Sequence, residues 1–184
     1  MMRRRPPGPT GLAGLSHPSP GPCPDPSAEV DVQAANEQDD VELDAEALGR
    51  LAGAVLAGEG VTGPAELTLT FIDEEAMAAL NREHLGESGP TDVLAFPLED
   101  PAELEPNRPP GMVALLGDVV VCPAVAQRYA AEHGRSTADE LALLVVHGVL
   151  HVLGHDHAEA EETARMRARE LFHLRAVVDP TFVL

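Results

Sequence analysis

The chain has 184 residues, enough for one domain with a sizeable core, and 44% of them are hydrophobic although only 3% are aromatic. The formal net charge is −19, which argues against non-specific binding of nucleic acid because such binding needs a basic surface. Two cysteines make no disulfide framework, the basic N-terminus has no apolar signal-peptide segment, and no run of about 18 apolar residues predicts a membrane span. A cytoplasmic protein with no membrane contact is therefore expected.

The first part of the chain differs from the rest in composition. Residues 1–29 are rich in Pro and Gly and poor in apolar residues, so they are predicted to form a disordered tail. From residue 30 onward, four stretches have the alternating or apolar pattern of strands: 30–35, 66–72, 93–96 and 112–121. Helices are predicted over 44–57, 76–84, 123–133, 136–153 and 158–176. The acidic, Pro-rich residues 98–111 are predicted to form a loop.

Local signals mark several ends of these elements. Asp73 and Ser136 are predicted N-caps, and Pro123 suits the first turn of a helix. Gly134 and Gly154 are predicted to end helices, because glycine adopts positive φ without strain. Together these signals predict one α+β domain over 30–184, with a mixed four-stranded sheet packed with helices.

The sequence HGVLHVLGHDH, residues 147–157, carries the predicted chemistry. His147 and His151 are four residues apart on a predicted helix, so their rings lie on one face and can share a metal ion. Gly154 comes one turn later and can turn the chain back, which lets His157 reach the same ion. Three imidazoles with one open position are typical of a catalytic zinc site. We therefore predict one Zn²⁺ per chain in a zincin-like site on this helix and turn.

The residue after the first histidine separates this site from the peptidases that share its HxxxHxxGxxH ligand pattern. Those peptidases have a Glu there as general base, whereas this chain has Gly148, so proteolysis is disfavoured. A bound metal can still activate water and neutralise charge on a phosphodiester. Asp156 is the candidate catalytic residue, because it could orient a ligand imidazole or accept a proton. The sequence is equally consistent with an alternative in which Asp156 only caps the N-terminus of the following helix.

The other histidines, sulfur-containing residues and charged residues are predicted to have no direct role in catalysis. His155 is predicted to lie at the rim of the site, while Cys122 and Met166 are predicted to be buried in the core. Four histidines without a partner at ligand spacing are predicted to be ordinary surface groups: His17, His84, His133 and His173. Four arginines could form a small basic rim, although three glutamates are equally placed to pair with them. These residues are Arg128, Arg135, Arg165 and Arg169, and Glu161, Glu162 and Glu170.

The motifs resemble those of the YbeY family of bacterial rRNA maturation factors, which are single-strand-specific endoribonucleases. The family signature HGxLHLxGHDH stands here as HGVLHVLGHDH, with Val152 in place of the usual Leu. Residues 90–97, PTDVLAFP, are similar to the family's PTDVLSFP, and residues 116–121, LGDVVV, are similar to its LGDIVI strand. The resemblance extends over residues 30–176 and leaves out the N-terminal tail.

The resemblance implies zinc on His147, His151 and His157, in an endoribonuclease that matures the 3′ end of small-subunit rRNA and takes part in ribosome quality control. The implied partners are single-stranded rRNA, the small ribosomal subunit and its assembly factors. Many members have an Arg that meets RNA phosphates where this chain has Leu85, so Arg82 is a candidate substitute. Two alternatives are a ribosome-assembly factor whose zinc is not catalytic and a metzincin-like peptidase.

Overall fold

A computed structural model of the chain describes residues 30–99, 112–155 and 159–184. The predicted N-terminal tail, 1–29, lies outside the described residues, as does most of the predicted acidic loop. Asp156 and His157, the candidate catalytic residue and the third predicted metal ligand, also lie outside them. The described residues nevertheless include the helix that carries the first two predicted ligands.

Four strands and five helices are present in these ranges. Their order is β1 (Asp31–Asn36), α1 (Ala45–Gly58), β2 (Ala65–Phe71), α2 (Glu74–His84), β3 (Val93–Pro97), β4 (Ala114–Val121), α3 (Pro123–His133), α4 (Thr137–Val152) and α5 (Ala160–Val177). The predicted elements are confirmed, and each end differs from its predicted position by at most two residues. None of the helices in the described ranges is long and apolar enough to cross a membrane.

The strands form one mixed sheet in the order β1-β2-β4-β3, with β1, β2 and β4 parallel and β3 antiparallel to β4 at the edge. The α+β class and the mixed four-stranded sheet are therefore confirmed. β4 bulges against β2, since Glu66 pairs with Leu115 but Leu67 pairs with Gly117. Gly117 has a φ of 148°, and a Cβ there would collide with the carbonyl oxygen of Phe96. Only glycine therefore lets β3 lie this close to β4.

Helix α4 packs on the sheet, and ten of its 16 residues are buried. Leu116, Val119 and Val121 of β4 belong to the same buried apolar cluster as the inner face of α4. Gly148 faces the sheet, because a Cβ there would lie 2.5 Å from Cγ1 of Val119 and 3.3 Å from Cγ2 of Val93. A larger residue at position 148 would therefore push the helix away from β3 and β4.

Side-chain caps and glycines set the helix ends as predicted. The carboxylate of Asp73 accepts a hydrogen bond from the N–H of Ala76 at 2.8 Å, and the hydroxyl of Ser136 accepts one from Asp139 at 3.0 Å. Gly134, after α3, has a φ of 69°, the left-handed conformation that commonly ends a helix. These ends were predictable because each depends on residues within four positions of the cap.

Helix α5 begins at a capping box made of its own glutamates. The side chain of Glu159 accepts a hydrogen bond from the backbone of Glu162, and the Glu162 carboxylate accepts one from the N–H of Glu159 at 3.0 Å. The N-cap of α5 is therefore Glu159. Asp156, three positions earlier, lies outside the described residues, so the alternative in which it caps this helix stays a prediction.

Three predictions for single side chains are confirmed. Cys122 and Met166 are buried, with 0% and 2% of their surface exposed. Burial raises the pKa of the Cys122 thiol, so the thiol stays protonated at neutral pH. His133 is an exposed group on α3, and its Nδ1 lies 2.8 Å from the carbonyl oxygen of Tyr129 one turn earlier.

Candidate metal centre

His147 and His151 lie on one face of α4, in its last two turns. Their Nε2 atoms are 3.1 Å apart, and their ring centroids are 4.6 Å apart. Two lone-pair nitrogens repel at this distance unless a proton or a cation lies between them. A tetrahedral zinc ion with bonds of about 2.0–2.1 Å would hold two such nitrogens about 3.4 Å apart. The two rings are therefore placed as a pair that could chelate one metal ion.

Glu170 of α5 fixes the orientation of the first ring. Its Oε1 accepts a hydrogen bond from Nδ1 of His147 at 2.7 Å, and the Glu170 side chain is 8% exposed. Because the partner is a carboxylate, the proton sits on Nδ1 and leaves the lone pair on Nε2. A carboxylate that holds the second nitrogen of an imidazole is the usual companion of a metal-ligating histidine.

The sequence did not predict this role of Glu170, which was grouped with the glutamates placed to pair with arginines. The signal that would have found it is the buried face of α5, where Met166, Glu170, His173 and Leu174 lie together. A carboxylate on the buried face of a helix requires a polar partner. The histidines of α4, the helix before α5, were candidates for that partner.

The turn after α4 leads towards the third predicted ligand. The N–H of Gly154 donates to the carbonyl of His151 at 2.9 Å, and Gly154 has a φ of 86°, as predicted from its freedom to adopt positive φ. The described residues stop at His155, and Asp156 and His157 follow outside them. Within the described part of the chain, no group of three or more His, Cys, Asp or Glu residues could hold a metal ion.

A cleft of about 830 Å³ opens beside the two imidazoles. Residues from α4, α5, β3 and the end of α2 line it. His84 is exposed, as predicted, but it also lines the cleft, and its ring centroid lies 4.8 Å from that of Phe96. Leu85 lines the cleft and is 62% exposed, whereas Arg82 is not among the lining residues. The candidate substitute for the family's arginine therefore lies outside the cleft.

The predicted basic rim does not form as a free cationic surface. Each of its four arginines is paired with a carboxylate: Arg128 with Glu74, Arg135 with Glu140, Arg165 with Glu161 and Arg169 with Glu59. Of these four, only Arg135 lines the cleft, and its partner Glu140 is buried. Arg167, which sequence reasoning did not single out, also lines the cleft.

Glu59, directly after α1, connects three parts of the molecule. Its Oε1 accepts hydrogen bonds from Arg169 Nη2 at 2.6 Å and His173 Nε2 at 2.5 Å, and its Oε2 lies 3.4 Å from Nε2 of His155. His173 is 2% exposed, so the prediction of a surface group is wrong. Burial would raise the pKa of Glu59, but the hydrogen bonds from His173 and Arg169 outweigh it and lower the pKa. The ionised carboxylate ties α1 and α5 to the turn after α4.

Comparison with known proteins gives consistent matches over most of the chain. A family model described as Endoribonuclease YbeY matches residues 33–177. A protein from Salinispora tropica named Endoribonuclease YbeY is 46% identical over 154 residues, which cover 80% of this chain and 92% of that protein. Proteins of the same name from Thermobifida fusca and Moorella thermoacetica are 45% and 48% identical, over 79% and 67% of this chain and 90% and 80% of their own lengths.

One solved structure supports the fold. The solution structure of TM1509 from Thermotoga maritima is similar, with a TM-score of 0.55 and 23% sequence identity. The match covers 80% of this chain and 89% of that one. At this level of identity the likeness concerns the architecture of sheet and helices, and the chemistry of the site has to be argued from the residues themselves.

Proposed function

The chain belongs to the endoribonuclease YbeY family, and we propose that it cleaves single-stranded rRNA in a zinc-dependent reaction during maturation of the small ribosomal subunit. It is accordingly an endoribonuclease, a hydrolase of phosphodiester bonds in RNA. The proposed setting is the cytoplasm, with the small subunit and its assembly factors as partners. The observation that carries the proposal is the pair of imidazoles on α4, whose Nε2 atoms are 3.1 Å apart at the mouth of a cleft.

We assign one Zn²⁺ per chain to His147, His151 and His157. Three observations support a metal here: the facing Nε2 atoms, the carboxylate of Glu170 on the far nitrogen of His147, and the turn at Gly154 that ends α4 just before the third histidine. When bound, zinc supplies a Lewis acid that lowers the pKa of a coordinated water to about 7 and neutralises charge on the phosphodiester.

The chain's own residues supply orientation and proton transfer. Glu170 holds His147 in the tautomer whose Nε2 lone pair faces the cleft. The carboxylate of Asp156 is proposed to accept the proton that the attacking water loses. The neighbouring rings of His84 and Phe96 offer an aromatic surface in the cleft on which an unpaired base can stack, which fits a single-stranded substrate.

A peptidase mechanism is disfavoured by packing as well as by sequence. The general base of the zincin peptidases would stand at position 148, where this chain has glycine. A Cβ at Gly148 would press on Val119 of the sheet, so this side of the helix is closed to a reacting group. Proteolysis would therefore need a base from another position.

A ribosome-assembly factor with non-catalytic zinc is the second candidate function. The net charge of −19 and the apolar Leu85 in the cleft favour it, because both weaken the attraction of the cleft for RNA phosphates. The two functions differ in one respect that can be measured. Substitution of a proton-accepting residue should lower a rate only if the protein is an enzyme.

The test compares Asp156→Asn and His151→Ala with the wild-type protein on a labelled single-stranded rRNA fragment. We expect Asp156→Asn to keep one zinc per chain and lose about 100-fold or more in rate, because general-base catalysis is worth about that much. We expect His151→Ala to lose both zinc and cleavage. His133→Ala, an exposed histidine on α3, is the control and should cleave like the wild type. If Asp156→Asn cuts at the wild-type rate, Asp156 has no chemical role.

A further inference from the structure

The arginines of the described residues differ in whether their side chains already bind another group of the protein. Six of the eight make an ion pair or hydrogen bond within the described part of the chain: Arg50, Arg128, Arg135, Arg165, Arg169 and Arg175. The other two, Arg82 and Arg167, have neither kind of partner there. An arginine without a carboxylate partner can bind an anion without first breaking a bond to the protein.

Only one of these two arginines lies where a substrate would. Arg167 lines the cleft beside the two imidazoles, and Arg82 does not. Arg167 also stands one turn before Glu170 on α5, so both side chains project from the same side of that helix. Glu170 is bonded to His147, and Arg167 lines the same cleft as Glu170, His147 and His151.

Arg135, the other cationic side chain that lines the cleft, is poorly suited to bind a phosphate. Its guanidinium is bonded to Glu140 at 2.8 Å, and the Glu140 side chain is only 6% exposed. If Arg135 moved to a phosphate, that buried carboxylate would lose its partner, which carries a large desolvation penalty. Arg167 is exposed and makes no ion pair or hydrogen bond within the described residues.

We infer that Arg167 forms a subsite for a phosphate of the RNA strand in the cleft, next to the residues that hold the metal. This inference rests on the proposed function and assigns a residue to the binding of its substrate. In a chain with a net charge of −19, a guanidinium in the cleft without a carboxylate partner strengthens the local attraction for a polyanion. The subsite offsets, from a different helix, the missing cation at Leu85, which lines the same cleft.

The first experiment measures binding without cleavage. Zinc-loaded protein is titrated into a fluorescent single-stranded 2′-deoxy oligonucleotide, which carries the same phosphates as RNA but is not a substrate of an endoribonuclease. We expect Arg167→Gln to weaken binding about tenfold at low salt and to reduce the slope of log affinity against log salt by about 0.7, the contribution of one phosphate contact. Arg167→Lys should keep most of the slope, because it keeps the cation.

Arg165→Gln is the matched control, since it removes an equal charge from the same helix and its partner Glu161 is exposed. This variant should bind within about twofold of the wild type and keep its salt slope. Equal losses in Arg165→Gln and Arg167→Gln would overturn the inference, because they would reflect net charge alone. An unchanged affinity in Arg167→Gln would overturn it as well.

The second experiment measures cleavage of the corresponding RNA. Arg167→Gln should raise KM about tenfold with little change in kcat and no change in zinc content, because the residue binds the strand and does not touch the metal. A fall in kcat at unchanged KM would contradict the inference. A wild-type protein that cuts no RNA would contradict the proposed function, and the binding experiment would still decide whether Arg167 contacts phosphate.

Discussion

The hydrogen bond between His147 and Glu170 shows how one residue of α5 determines the chemistry of a residue on α4. The 2.7 Å bond places the imidazole proton on Nδ1, so Nε2, which lies 3.1 Å from Nε2 of His151, keeps its lone pair available. Glu170 is buried, and His147 is its hydrogen-bond partner in the described structure. The orientation of His147 and the burial of Glu170 therefore depend on each other.

We predict that Glu170→Gln lowers the affinity for zinc by about 10- to 100-fold, because the amide is a weaker partner for Nδ1 and reduces the basicity of the imidazole. Competition with a chromophoric chelator measures this affinity. Glu161→Gln, at an exposed position on the same helix, is the control and should bind zinc like the wild type. Equal affinities in Glu170→Gln and the wild type would show that the carboxylate does not support a metal ligand.

The lowered pKa of Glu59 predicts that the stability of the protein depends on pH in the acidic range. Its pKa in the folded protein is below the ordinary value of 4.5, so its stabilising effect is complete above pH 4.5 and is lost as the pH falls towards the folded pKa. Glu59→Gln should lower the free energy of unfolding by about 1–3 kcal/mol at neutral pH, because it removes a charged acceptor from Arg169 and His173. The effect should shrink at an acidic pH below 4.5, because the advantage of the ionised carboxylate in the folded state is lost as the pH falls towards the folded pKa.

Urea unfolding at the two pH values measures this effect. Glu46→Gln removes a carboxylate that pairs with Arg50 on the surface of α1, where both side chains are exposed. This control should change the free energy of unfolding by less than about 0.5 kcal/mol. If Glu59→Gln costs the same at both pH values, the stabilising interaction does not depend on the ionised carboxylate.

At the scale of elements, the parts of the fold that depend on near neighbours were predictable. Asp73, Ser136 and Gly134 set helix ends through contacts within a few residues, and the alternation of residues 66–72 was enough to predict β2. The His147–His151 pair was predictable for the same reason, since both lie on one helix.

Contacts between distant segments were not predictable from one sequence. Glu59 and His173 are 114 residues apart in the chain, and only the packing of α1 against α5 brings them together. The pairing of Glu170 with His147 likewise depends on how α5 crosses α4. For this reason the sequence indicated the residues that could bind a metal but missed the carboxylate that orients one of them.

The packing of α4 on the sheet can be tested with two glycines in helices. Gly148→Ala should destabilise the protein by about 1–3 kcal/mol, because the new Cβ would lie 2.5 Å from Val119. Gly53→Ala on α1 should stabilise it by about 0.5–1 kcal/mol, because the nearest atom, Cγ2 of Val32, is at an ordinary 3.8 Å and alanine favours helix. Thermal unfolding measures both, and a stabilising Gly148→Ala would contradict the close packing.

At the scale of the whole molecule, the negative net charge of the chain opposes the binding of RNA, which is also negatively charged. The net charge of −19 disfavours association with RNA over the surface as a whole, so binding must depend on a few groups inside the cleft. Most arginines of the described residues are engaged by carboxylates. We therefore expect recognition of RNA to depend on the proposed metal, on the aromatic surface of His84 and Phe96, and on Arg167.

The most direct test of zinc-dependent RNA cleavage is metal reconstitution. Protein stripped of metal by a chelator is titrated with Zn²⁺ while cleavage of a labelled single-stranded rRNA fragment is followed, beside His151→Ala prepared in parallel. We predict that cleavage appears with the metal, reaches its maximum at one zinc per chain, and stays absent in His151→Ala. Cleavage that is equal in both proteins, or a wild-type protein that binds one zinc and cuts no RNA, would contradict zinc-dependent cleavage.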